Sequence, residues 1–439
     1  MSSSNIQFQI KPGGVLSGSI RVPGDKSISH RSIMLGSLAQ GVTHISGFLQ
    51  GEDNLATLNA FRALGVQIDG PTNGDVTIHG VGMHGLRQPD EDIDLGNSGT
   101  SMRLLTGLFA AQKFNCTLTG DQSLSTRPMR RVTDPLSKMG CRIKTTEQGT
   151  PPVTITGNQS LSGISYAMPV ASAQVKSSLL LAGMYANGST CVTEPAPTRD
   201  HTERMLRGFG YPVETNGNKI CLQGGGKLTA CDIDVPADIS SATFFIVGAC
   251  IADGSDLTLT HVGINPTRIG VINILKMMGA DIELQNERVV GGEPVADIRV
   301  RASRLNGIHI PPEQVPLAID EFPAIFIAAA CAEGETVLTD ARELRVKESD
   351  RIQVMADGLV ELGIDARATQ DGMIIQGGQL KSGTVESHGD HRIAMSFAIA
   401  ALRAQGTITI RDCANVNTSF PGFSKLAGDT GLKITETTG

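Results

Sequence analysis

Asp25-Lys26-Ser27-Ile28 opens an apolar segment, Val42-Thr43-His44-Ile45 follows it with β-branched alternation, and Leu64-Gly65-Val66 closes a second helical segment before a new strand. The acidic residue is placed to cap a helix start. The glycine is placed to accept the left-handed turn that ends a helix. The same succession recurs along the whole chain. Helix starts are expected at Asp25, Asn97, Ser172, Asp238, Asp320 and Asp390. Strands are expected around Val42–Ile45, Cys116–Leu118, Thr190–Val192, Leu257–Leu259, Thr336–Leu338 and Ile408–Ile410. The closing glycines are Gly65, Gly140, Gly210, Gly279, Gly363 and Gly431, spaced 68 to 84 residues apart. Short β runs beside Gly-rich turns complete each copy, at Phe8–Ile10, Val76–Ile78, Val153–Ile155, Ile220–Leu222, Ile298–Val300 and Ile374–Gln376. Units this long, with two helices each, predict an α/β architecture of six βαβαββ modules and not a solenoid.

Composition narrows the function. The 439 residues carry a net charge of −7 with both signs mixed along the chain, so a nucleic-acid-binding surface is not expected. No apolar run approaches membrane-spanning length, and the first fourteen residues lack the apolar stretch of a secretory leader. A cytoplasmic protein is expected. The eight cysteines lie singly, without Cys-x-x-Cys or zinc-like Cys/His spacing, and read as small buried hydrophobes. No metal and no cofactor are expected.

The polar chemistry gathers at helix starts, where unpaired N–H groups and the helix dipole favour anions. Lys26, Ser27 and Arg31 fall within about one helical turn. The loops before the second helices carry Thr126-Arg127, Thr198-Arg199, Thr267-Arg268 and the run Arg345-Val346-Lys347-Glu348-Ser349-Asp350-Arg351, and His391-Arg392 opens another helix. Lys and Arg with Ser and Thr hydroxyls suit a phosphate and a carboxylate. Asp320 and Glu348 lie inside this basic set and suit general acid or base work. Gly24-Asp25-Lys26-Ser27 is not a P-loop, because Asp25 interrupts Gly-Lys. His201 and His391 lack partners at metal-ligand spacing and read as packed histidines.

Read as strings, Pro23-Gly24-Asp25-Lys26-Ser27-Ile28-Ser29-His30-Arg31, Gly96-Asn97-Ser98-Gly99-Thr100, Arg127-Pro128-Met129, Ser172-Ala173-Gln174-Val175-Lys176, Arg199-Asp200-His201-Thr202-Glu203, Asn265-Pro266-Thr267-Arg268, Arg345 to Arg351 and Asp390 to Ser396 closely resemble the EPSP synthases, the 3-phosphoshikimate 1-carboxyvinyltransferases. The second sequence group of that family is the nearer. The resemblance implies transfer of the enolpyruvyl (carboxyvinyl) group of phosphoenolpyruvate to the 5-hydroxyl of shikimate 3-phosphate. The reaction releases phosphate and runs by addition–elimination, on the shikimate route to chorismate and aromatic amino acids. It implies an enolpyruvyl transferase-like pair of inside-out α/β barrels, one domain from residues 1–20 and 240–439 and the other from 21–239, each of three modules, with the active site in the cleft between them.

Carried over, Ser27, Arg31, Ser172, Gln174, Arg199, Asp320 and Lys347 would hold shikimate 3-phosphate. Lys26, Gly99, Arg127, Gln174, Arg351 and Arg392 would hold phosphoenolpyruvate. Lys26, Asp320 and Glu348 would be catalytic, Asp320 taking the 5-hydroxyl proton and Glu348 exchanging a proton at the methylene carbon. Partners would be these two small molecules only, with no nucleic acid and no membrane, and the protein would be a monomer. Gly99 implies a glyphosate target. This chain has Ala173, Glu343 and Asn417-Thr418-Ser419 where the first group often has a serine, an asparagine and a phosphate-binding lysine. The alternative is the sister enzyme acting on UDP-N-acetylglucosamine, which typically uses a cysteine where this chain has Ser125-Thr126-Arg127.

Overall fold

A computed structural model describes residues 6–438 and divides into two compact units. One is Gly24–Val235 together with Val290–Glu293; the other takes residues 6–23, Pro236–Val289 and residues 294–438.

In the Gly24–Val235 unit, helices α1 (Lys26–Leu38), α3 (Gly99–Phe109) and α5 (Ala173–Gly183) are mostly buried over their length. Helices α2 (Glu52–Ala63), α4 (Arg130–Lys138) and α6 (His201–Gly208) bury one side only. Three four-stranded sheets accompany them, and each has the same internal order. In the first, Ile233–Asp234 runs parallel to Gln40–Ser46, which pairs antiparallel with Asp75–Val81, which pairs antiparallel with Gln67–Thr72. Ile93–Asp94, Cys116–Thr119, Val153–Ile155 and Ile143–Lys144 repeat this. So do Ser165–Ala167, Ser189–Thr193, Lys219–Gln223 and Glu214–Asn216. The central strands alternate in burial as period-2 geometry requires, as Lys219–Gln223 and Ser189–Thr193 do, and their inner faces join the helices in one apolar core, while the edge strand Glu214–Asn216 is exposed throughout.

The other unit is built likewise. Helices α7 (Ile239–Ile251) and α9 (Phe322–Ala330) are buried at every residue, and α11 (His391–Ala400) at all but one. Helices α8 (Gly270–Met277), α10 (Arg351–Glu361) and α12 (Phe423–Thr430) are amphipathic. Two sheets keep the four-stranded order, with Gly383–Glu386 parallel to Ile408–Arg411 and Ser17–Ile20 parallel to Asp256–Gly263. The third, Glu335–Leu338, Met373–Gln376 and Asp365–Ala368, has three strands. A single parallel bridge from His309 to Val337 stands in the fourth position.

The cap signals are satisfied in a common way. Asp25, Ser172, Asp238 and Asp390 accept backbone N–H bonds at their helix starts. Two expectations need correction. The cap of α3 is Ser98, which accepts from the Ser101 N–H, because Asn97 is engaged with Arg127 and Asp121. The cap position of α9 is Glu321, with Asp320 one residue outside it. All six closing glycines have positive φ, and the residue after each donates its N–H back to the carbonyl five residues earlier, as from Val66 to Phe61 and Tyr211 to Leu206.

The cysteines also differ from expectation. Cys191 and Cys221 face each other in register on neighbouring strands and are joined in a disulfide, a pairing that a separation of 30 residues concealed. Burial pushes the thiols of Cys116, Cys141, Cys250, Cys331 and Cys413 up to about 12, which leaves them unreactive near neutrality. Among the described residues no helix is long and apolar enough to cross a membrane, and no group of acidic, His or Cys side chains is arranged to hold a metal ion.

Candidate active site

In the Gly24–Val235 unit the chemistry begins with helix starts. Lys26 is the first residue of α1 and pairs with Asp53, while its carbonyl accepts from Asn54 at 3.0 Å. Arg31, one turn further on, is buried and donates to Thr202 Oγ1 at 2.7 Å, Ser177 Oγ at 2.8 Å and the Ser27 carbonyl at 2.9 Å. These contacts join α1 to α5 and α6. His30 is wholly buried, and burial first, then Lys26 and Arg31, lowers its pKa well below the usual histidine range. It is therefore a neutral ring, bonded to Thr57 Oγ1 at 2.8 Å.

The start of α3 gathers a second set. Arg127 donates to Asn97 Oδ1 at 2.7 Å and Ser123 Oγ at 3.3 Å. A Cβ on Gly99 would stand 3.0 Å from Arg127 Nη1 and 3.1 Å from Arg103 Nη1, so both guanidinium tips lie against this glycine. Gln174 accepts from Arg103 at 2.7 Å and donates to Thr100 Oγ1 at 3.0 Å. Lys26 and Arg127 thus lie in the unit that also carries Ser172, Gln174 and Arg199. Arg103 escaped the sequence reading. Its signal was its place one turn after Gly99, which becomes visible only once α3 packs on α5.

The other unit holds a different constellation, centred on Arg351, the first residue of α10, only 1% exposed. Its Nε donates to Asp390 at 2.8 Å, Nη2 to Glu348 at 2.6 Å and Nη1 to Asp320 at 3.3 Å. Burial works against the cation, but Asp390 and Glu348 outweigh it and hold the guanidinium above its usual range. For Asp390, burial is likewise overcome by Arg351, and the carboxyl stays below the usual carboxylate range. Lys347 Nζ reaches Asp320 at 3.3 Å. Arg392 donates to the Asp320 carbonyl at 2.9 Å and lies 3.7 Å from Glu321; burial first, then Arg351, pulls its pKa down.

So Asp320, Lys347, Glu348, Arg351 and Arg392 form one cluster, and Asp390 and Glu321 join it unforeseen. Asp390 reads as a helix cap in sequence, and Glu321 stands beside Asp320, the residue expected to cap α9. Arg268 turns instead to Ser240 and Asp238, and Arg345 to Asp350 and the backbone at Thr369 and Gln370. Lys425 is exposed and pairs with Asp429. His201 is buried against Glu293 at 2.8 Å and His391 is buried, as packed histidines should be.

Chemically, the first constellation offers positive charge and helix N–H groups to an anion. The second offers carboxylates held on a buried cation beside further cations. That combination can move protons while stabilising developing negative charge.

Comparison with known proteins places the chain in a family. The family described as EPSP synthase (3-phosphoshikimate 1-carboxyvinyltransferase) matches residues 10–426. A 3-phosphoshikimate 1-carboxyvinyltransferase of Methylococcus capsulatus is 69% identical over 434 residues, covering 99% of both chains. One of Nitrosococcus oceani is 68% identical, covering 99% of this chain and 98% of that one. The solved EPSP synthase of Acinetobacter baumannii aligns with a TM-score of 0.90 at 62% identity, over 98% of this chain and all of the other. The enolpyruvyl transferase NikO of Streptomyces tendae, at 17% identity over 99% of this chain and all of that one, has a TM-score of 0.81 and shares the fold. With inner helices, repeated mixed sheets and near-complete matches at this identity, the chain belongs to the EPSP synthase family.

Proposed function

We propose that this protein transfers the carboxyvinyl group of phosphoenolpyruvate to the 5-hydroxyl of shikimate 3-phosphate. In the addition step the 5-oxygen bonds to C2 of phosphoenolpyruvate, its proton leaves to Asp320, and C3 gains a proton from Glu348. Elimination then breaks the C2–O bond to phosphate, a C3 proton returns to Glu348, which entered the cycle protonated, and the proton held by Asp320 leaves with the phosphate. Lys26, Arg127, Gln174, Arg351, Arg392 and the backbone at Gly99 bind phosphoenolpyruvate. Ser27, Arg31, Ser172, Gln174, Arg199, Asp320 and Lys347 bind shikimate 3-phosphate. Prepositioned cations lower the barrier because charge builds up on the ketal and on the leaving phosphate. The enzyme acts as a monomer in the cytoplasm.

The observation that carries this reading is the seating of Asp320 and Glu348 on one buried guanidinium, in a chain whose family match runs from residue 10 to 426. A coupled phosphate-release assay tests it. Phosphate should appear with phosphoenolpyruvate and shikimate 3-phosphate and stay at background with UDP-N-acetylglucosamine. The opposite preference would overturn it.

A further inference from the structure

Two of the quoted strings, Ser172 to Lys176 and Arg199 to Glu203, contain charged residues with no part in the chemistry above. The structure brings them together. Lys176 is 1% exposed, and its Nζ lies 2.7 Å from Glu203 Oε1 and 3.1 Å from Glu194 Oε2. Glu194 follows directly on strand Ser189–Thr193, and Glu203 sits in the first turn of α6. The two carboxylates therefore mark the two ends of the loop that carries Arg199. Within that loop Lys176 also reaches the Thr198 carbonyl at 3.5 Å, and the Thr198 hydroxyl donates to Glu194.

Burying one ammonium with two carboxylates is a poor way to gain stability, because desolvation offsets most of the attraction. Among the described residues, Glu203 Oε2 is buried without a hydrogen-bond partner. What the arrangement does supply is geometry. Lys176 lies on α5 two residues after Gln174 and four after Ser172, so one side chain fixes the Arg199 loop to the helix that presents those two.

We infer that Lys176, with Glu194 and Glu203, is a positioning cluster that sets Arg199 relative to Ser172 and Gln174 for recognition of the phosphorylated acceptor. This rests on the assignment of Arg199 as a shikimate 3-phosphate ligand. Lys176 is 1% exposed and held by Glu203 and Glu194, so it acts through the loop, and its removal should separate the two substrates kinetically.

The test is a double-mutant cycle on the full-length enzyme, with KM measured for each substrate. Lys176→Met should raise the KM for shikimate 3-phosphate about tenfold, the scale of one charge-assisted contact, while the KM for phosphoenolpyruvate and kcat hold. In an Arg199→Ala background the same substitution should add almost nothing. An equal effect in both backgrounds would overturn the inference, since Lys176 would then not act through Arg199. An Arg199→Ala enzyme with unchanged KM for shikimate 3-phosphate would instead overturn the ligand assignment beneath it. Should Lys176→Met fail to fold, Thr198→Val removes one strut of the same cluster. It should give a smaller rise in the same KM, and no rise at all would count as refutation.

Discussion

Arg127 lies three residues before α4 and Arg351 opens α10, and their surroundings are opposite. Arg127 is half-buried and donates to an amide and a hydroxyl, Asn97 and Ser123. Arg351 is fully buried and held by three carboxylates, Asp390, Glu348 and Asp320. An arginine tethered by neutral groups keeps its charge to offer to an incoming anion. One ringed by carboxylates serves first to orient them, and a substrate anion has to compete for it. Under the proposed function, the first region would grip the anion and the second would move the protons.

The sharpest way to break that contrast is at the carboxylates. Asp320→Asn and Glu348→Gln should each lower kcat by about a hundred- to ten-thousandfold, the range for a positioned acid or base, with shikimate 3-phosphate affinity changed far less. Rapid-quench or steady-state kinetics beside equilibrium titration would show this. If both enzymes kept near-normal kcat, the second region would be a structural ion cluster.

Arg127→Ala comes next. Loss of a charge-assisted contact should cost about 1.5–3 kcal/mol, lowering kcat/KM for phosphoenolpyruvate about ten- to a hundredfold and leaving thermal stability almost unmoved. A large fall in Tm with intact KM would reverse its assignment.

Gly99→Ala should have the smallest effect and the most local one. The added Cβ forces the tips of Arg127 and Arg103 to retreat by a few tenths of an ångström. At about 1 kcal/mol, the low end for overpacking, the KM for phosphoenolpyruvate rises about fivefold. Inhibition by glyphosate, implied by the family resemblance, should weaken with it. An unchanged KM would place Gly99 outside the anion site.

The repeat was readable because its signals are local. A glycine that must turn left-handed after a helix, or a β-branched triplet, announces itself within a few residues, and every predicted strand triplet lies in an observed strand. The site was less legible where one residue type serves two purposes. Asp320 looked like a helix cap in sequence, yet Glu321 takes the cap position and frees the Asp320 carboxylate for Lys347 and Arg351. Asp390 is the reverse case, a true cap that also clamps Arg351. Arg103, the Lys176 cluster and the Cys191–Cys221 pair arise from contacts between segments about 20 to 75 residues apart. No local pattern encodes those, because they depend on how helices pack and strands register.

The glycine that ends each amphipathic helix gives the molecule its own set of replicates. At Gly210 nothing lies within 4 Å of an added Cβ, whereas at Gly363 the Lys381 stem stands 2.8 Å away. Both have φ near +80°, so the strain of forcing alanine into a left-handed turn is shared. Any excess cost at Gly363 is then crowding alone, and one chain supplies both the measurement and its blank.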